Sequence, residues 1–300
     1  VQRFRPELGR SSTARTATAL VAGALTATLL SACDSVVGIP GEEAPVAVTS
    51  ITPTTSAAAP SIAVGEPAPT RATTSTLPPV PTDAPQVGAV PGNAAAAPAV
   101  RRWANDLANG VDLQDKCWSI PPRTVTDTAD NAQSVLAALT QPGTVSGENV
   151  VWRNRSVTVV VDQRSIASGY ACGRSFAAGV EPGYDDADAR HTVRRYLARA
   201  TGKPLDATDI EATYPLTCAA TTTTWDPEGT GNPTAPPLAR DSGKVGNVTS
   251  FVEQELRSDH IRGSYLAVQV PVSTATGAAK TRTFTLAPTT MGYCIGDVTV

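Results

Sequence analysis

The chain has 300 residues, with 24 Lys and Arg against 27 Asp and Glu and a formal charge of −3. This mildly acidic balance gives no general electrostatic reason to bind nucleic acid or an anionic lipid surface. Two histidines and five cysteines leave few residues for metal or nucleophilic chemistry.

The first residues carry Arg3, Arg5, Arg10 and Arg15 with Glu7 as the one acid, followed by an apolar run from Ala17 to Leu30 and then Leu30-Ser31-Ala32-Cys33. A basic start, a short apolar stretch and small residues before a cut site describe a secretory signal peptide. The run is short for a membrane span. The tetrapeptide resembles the lipobox of bacterial lipoproteins of the actinobacterial type. That resemblance implies that residues 1–32 are removed and that Cys33 is acylated at the outer face of the cell membrane. Buried methylenes contribute roughly 0.8 kcal/mol each, so two or three acyl chains hold far more firmly than one. Removing residues 1–32 takes away four Arg and one Glu and moves the formal charge to −6.

From Asp34 to Pro98 the chain is Pro, Thr, Ala, Ser and Val without an aromatic residue, and 12 of the 25 prolines fall here. Such a stretch buries too little apolar surface to offset its ordering entropy, so residues 33–98 read as an acylated cysteine followed by a disordered tether. Thr52-Pro53-Thr54-Thr55 and Thr73-Thr74-Ser75-Thr76 are candidate O-glycosylation clusters.

Residues 99–300 hold every aromatic but Phe4, together with Cys117, Cys172, Cys218 and Cys294. An even set in an exported chain reads as two disulfides. No C-x-x-C occurs, which argues against zinc and thioredoxin-like chemistry. Val100, Trp103, Ala104 and Leu107 share one face of a helix ending near Gly110. Asp127 is read as the cap of a second helix through Val135, Leu136 and Leu139, stopped by Pro142-Gly143. The β-branched run from Val150 to Val161 predicts a strand, or a hairpin bent at Asn154. Asp185 or Asp186 caps a helix carrying Val193, Tyr196, Leu197 and Ala200, ended by Gly202. Residues 221–237 read as a long irregular loop with Trp225 tucked beneath it, the other reading being an exposed binding anchor. Val248 to Leu256 is read as a short helix. Tyr265 to Val272 and Arg282 to Leu286 form a predicted hairpin across Thr276-Gly277, and the last strand runs from Tyr293 to Val300.

These pieces occur twice in similar order. Val100-Arg101-Arg102-Trp103 and Val193-Arg194-Arg195-Tyr196 each precede a cysteine, and each set closes on a Gly-Tyr-(x)-Cys segment, at Gly169–Cys172 and Gly292–Cys294. The fold class is therefore read as α+β, with two small helix-plus-antiparallel-sheet modules at 99–183 and 184–300. A true repeat pairs Cys117 with Cys172 and Cys218 with Cys294, while the spacing leaves the other two pairings open. A helix followed by antiparallel strands, with Arg282–Leu286 ahead of Gly292–Val298, resembles secreted NTF2-like domains. The resemblance implies modules that often lack catalytic residues and occur in tandem in envelope proteins. Tyr293 departs from that pattern, standing where Trp is frequent.

The chemistry-bearing motifs are sparse. His191 sits among Asp185, Asp186 and Asp188, and reads as part of a capping cluster because helix N-termini favour acids. His260 follows Asp259 in a loop. There is no Gly-x-Ser-x-Gly elbow, Ser-x-x-Lys pair or His-Glu-x-x-His helix. Asp185-Asp186-x-Asp188 lacks the spaced oxygens of a calcium loop. Asp241-Ser242-Gly243-Lys244 reads as a turn. Arg190, Arg194, Arg195 and Arg199 read as a solvated helix face with carboxylate neighbours, or as a surface for an acidic partner or a polyanionic wall polymer. No motif calls for a cofactor or metal. The leading expectation is a lipid-anchored, non-catalytic envelope protein that binds a protein or wall component. A carrier of a small apolar ligand follows, and a hydrolase using His191 or His260 comes third.

Overall fold

A computed structural model describes residue 77 and residues 79–299; the expected leader, Cys33 and most of the tether lie outside these. The fold is α+β, with two antiparallel sheets, each faced by helices. The described residues belong to one compact unit. None of their helices is long and apolar enough to cross a membrane.

Ordered structure begins earlier than residue 99. Ala84 and Val90 are buried, and α1 spans Ala96–Ala108. The sequence reading missed this because Pro-rich chain lacks N–H groups for a ladder. Its carbonyls instead find side-chain donors. Arg101 donates to the carbonyls of Thr82, Ala84 and Pro85, and Trp152 Nε1 donates to that of Gly88 (3.1 Å). On α1 the buried Ala96, Ala99, Val100, Trp103, Ala104 and Leu107 follow the 3.6-residue period.

The second helix of the sequence reading is two helices, α2 (Pro122–Asp130) and α3 (Ala132–Leu139). Asp127 is not a cap. Pro122 starts α2, its fixed φ suiting the first turn, and Asp127 lies inside that helix. Asn131 breaks the run, its side chain donating to the Asp127 carbonyl (2.8 Å). The first sheet follows as β1 (Thr144–Ser146), β2 (Asn149–Arg153), β3 (Val157–Asp162) and β4 (Gly173–Ala177), paired in that order. Asn154 turns β2 into β3 by accepting from the Ser156 and Val157 N–H groups. A short helix, α4 (Gln163–Ser168), carries the chain from β3 to β4; Asp162 caps it, and it ends at Gly169, with φ at 84°. Val150, Trp152, Val159 and Val161 pack against Trp103, Val135 and Leu139 to make the first core.

The second module opens with α5 (Asp186–Ala200). Asp185 caps it, and Asp188 reaches back to the Asp185 N–H, completing a reciprocal capping box. A long irregular segment leads to α6 (Pro237–Arg240) and a 3-10 turn at Ser242–Val245, the turn expected at Asp241. The second sheet comprises β5 (Val248–Phe251), β6 (Arg257–His260), β7 (Leu266–Thr274), β8 (Ala279–Thr289) and β9 (Gly292–Thr299). Its order is β5-β7-β8-β9, with β6 also pairing β7. The helix expected over Val248–Leu256 is instead β5 and a 3-10 turn, because β7 offers an edge that Val248–Phe251 can pair with. Ala189, Val193 and Leu197 of α5 press onto Val268, Phe284, Leu286 and Ile295 to form the second core.

The bridges are Cys117–Cys172 and Cys218–Cys294, one within each module. Each module also seats a tryptophan on a glycine just beyond its second cysteine. A Cβ on Gly173 would stand 2.8 Å from Trp103, and one on Gly296 would stand 2.2 Å from Trp225. Among the described residues the second module has no counterpart of α2 and α3.

Candidate functional site: the polar cleft between the modules

Helix α5 is buried on two sides. One face covers its own sheet, and the other, through His191, Thr192 and Arg195, meets the first module. The Cys117–Cys172 bridge fixes the neighbouring Trp118 at this junction. The Trp118 carbonyl accepts from His191 Nε2 (2.8 Å), its ring packs edge-on against Tyr214 (4.9 Å), and the Arg195 guanidinium lies 4.9 Å from its centre. Arg174 of β4 pairs with Asp188 of α5 and lies over the Tyr184 ring.

Between these groups lies a cavity of about 70 Å³, into which α4, β4 and α5 bring Arg164, Arg174 and Arg195. Asp162 and Asp188 are the carboxylates in its wall. Arg164 clasps Asp162 through Nε and Nη2, and Arg195 clasps Asp209 the same way. Asp209 is wholly buried behind the cavity and also pairs with Arg199. Burial raises the Asp209 carboxyl, but hydrogen bonds and charge from Arg195 and Arg199 outweigh it and hold the group below its usual range. Burial, then the charges of Arg195, Arg194 and Arg174, pull His191 down to about 3 against the pull of the Trp118 hydrogen bond. The ring is therefore neutral at ordinary pH, and its Nδ1 has no hydrogen-bond partner among the described residues.

The arginines of α5 have carboxylate neighbours and are partly or fully buried rather than fully solvated. Arg194 meets Glu253 (2.7 Å), Arg195 and Arg199 meet Asp209, and Arg190 donates to Ser258. A charged helix stripe in sequence looks alike whether water or acidic loops cover it, and the covering residues come from distant segments. Of the three acids near His191, Asp185 and Asp188 serve the capping box, while Asp186 turns to His260 and Ser258. His260 stands 3.3 Å from Asp186 Oδ1, and Ser258 donates to Asp186 Oδ2 (3.1 Å). The carboxylate thus sits between serine and imidazole, whereas a hydrolytic triad needs the imidazole between serine and carboxylate. Among the described residues no group of His, Cys, Asp and Glu could hold a metal ion.

The sequence reading did not single out Arg164, Arg174, Tyr184, Asp209 or Tyr214, which reach the junction from separate elements. Trp118, adjacent to Cys117, was the one legible signal, since an aromatic beside a bridged cysteine is held in place.

Trp225 is a structural residue, 6% exposed, edge-on to Tyr265 (5.2 Å) and bridged through its backbone to Thr234. The Tyr265 hydroxyl donates to the Thr224 carbonyl and accepts from the Asp226 N–H, pinning the loop. Beside it, a groove of about 410 Å³ runs past Tyr265, Met291, Tyr293 and the Cys218–Cys294 bridge. No protein-family model, no curated protein and no solved structure matches the chain.

Proposed function

We propose that this chain is a lipoprotein anchored through Cys33 at the outer face of the cell membrane, whose folded part has a non-catalytic binding or scaffolding role in the envelope. The observation that carries this reading is the pair of disulfides, one within each module, because such bridges persist in oxidising compartments. The Leu30-Ser31-Ala32-Cys33 tetrapeptide and the Pro- and Thr-rich tether agree with it. The engagement of both histidines by structural partners favours binding over hydrolysis. The layout of α5 against a five-stranded antiparallel sheet supports reading the second module as NTF2-like.

The test is metabolic labelling with an alkyne fatty acid followed by intact-mass analysis of the membrane fraction. The reading requires label on the wild type, a mature N-terminus at Cys33 and loss of both in Cys33→Ala. An unlabelled, unprocessed chain refutes it. A second reading, carriage of a small apolar ligand, is favoured by the groove beside Tyr265, Met291 and Tyr293. Saturable quenching of tryptophan fluorescence by a fatty acid supports it, and a flat titration rejects it.

A further inference from the structure

We infer that the cleft between the modules is a binding site for a small tetrahedral oxyanion, phosphate or sulfate, free or as the end of a monoester. This deepens the binding role proposed above by naming a ligand class.

Three guanidiniums reach the cavity from three different elements, Arg164 from α4, Arg174 from β4 and Arg195 from α5. Each spends only part of its donor set on a carboxylate. Arg164 and Arg195 use Nε and Nη2, and Arg174 uses Nη2, so Nη1 of all three takes no hydrogen bond among the described residues. Arg195 is 8% exposed and lines the cavity. A guanidinium carries five N–H donors and no acceptor, so donors left over from its ion pair can serve an oxygen-rich ligand in place of water. The hydroxyls of Ser119 and Ser165 add further donors to the same wall.

Each guanidinium is paired with one carboxylate, Arg164 with Asp162, Arg174 with Asp188 and Arg195 with Asp209, so an entering anion is held by the unused Nη1 donors rather than by a net positive charge. Single donors from three separate elements suit the several oxygens of a tetrahedral anion better than the two of a carboxylate. A cavity of about 70 Å³ admits a small anion, against a share of about 30 Å³ per liquid water.

The experiment is isothermal titration of the full chain at pH 7, at fixed ionic strength set with sodium chloride. Inorganic phosphate, sulfate and glycerol phosphate are the titrants. Saturable one-to-one binding of phosphate or sulfate above the chloride background is expected. Arg164→Gln, at the rim of the cleft, and Ser119→Asp, which adds a negative charge to its wall, are each expected to weaken it by about tenfold or more. Glycerol phosphate binding as tightly as the free anion identifies a monoester end, from a headgroup or wall polymer, as the source; binding confined to the free anions identifies the ion itself. Either supports the site. No heat beyond the chloride control, or full affinity in both variants, overturns it. Neither result bears on the acylation of Cys33, so the two readings fail separately.

Discussion

His191 makes the stability of this protein depend on pH in a window where few other side chains titrate. Its native value near 3 compares with 6.5 for an unhindered imidazole. Between those values the unfolded chain binds a proton at this residue and the native protein does not, so stability falls as pH falls. Each unit crossed costs about 1.4 kcal/mol, and the two units from pH 6.5 to 4.5 cost about 2.7 kcal/mol. The depressed carboxylates Asp106 and Asp209 lose their contribution only as pH approaches and passes below 3.8. The assay is urea unfolding of the full chain with both bridges intact, at half-unit steps of pH, in buffers free of phosphate and sulfate. Wild type should lose about 2–3 kcal/mol across the window, and His191→Gln, which cannot titrate but keeps an N–H for the Trp118 carbonyl, should lose much less. Equal slopes in the two proteins would refute the reasoning.

Three further outcomes follow from buried geometry. Asp209→Ala leaves the Arg195 and Arg199 guanidiniums without their shared carboxylate, and should cost about 3–5 kcal/mol in denaturant unfolding; an unchanged midpoint would show that water reaches the pair. Gly296→Ala drives a methyl into the Trp225 ring, and its expected penalty of about 1–3 kcal/mol should appear as a lowered melting temperature. Replacing Cys117 and Cys172 together by Ala opens a loop with 55 residues of separation and should cost about 4 kcal/mol on the chain-entropy estimate. The same replacement at Cys218 and Cys294 should act similarly, read by equilibrium unfolding.

The elements legible in the sequence are those set by local chemistry. The 3.6-residue stripe of α1, the Asp185 cap, the turn at Asn154 and the β7–β8 hairpin are each written within a dozen or so neighbouring residues. What escaped depends on partners far along the chain. Val248–Phe251 becomes a strand because β7 lies beside it, and the Pro-rich strap near Ala84 is ordered because Arg101 supplies donors. The cleft escaped for the same reason. Arg164, Arg174 and Arg195 look like ordinary surface cations until two modules bring them together. Beside the cleft, Trp118 meets Tyr214 from a distant part of the sequence, and no pattern of spacing anticipates that meeting.

The double burial of α5 has a consequence for how the protein comes apart. A helix that covers one apolar core and carries the polar contacts of the junction on its other face ties both parts together, so melting one sheet strips a face of buried charge and imidazole that the other cannot cover. The cost of exposing Arg195, Asp209 and His191 falls on any partly opened form. Although the chain carries two sheets and two bridges, it should melt in a single step. A cut placed between the modules would yield two fragments, each missing part of its lining.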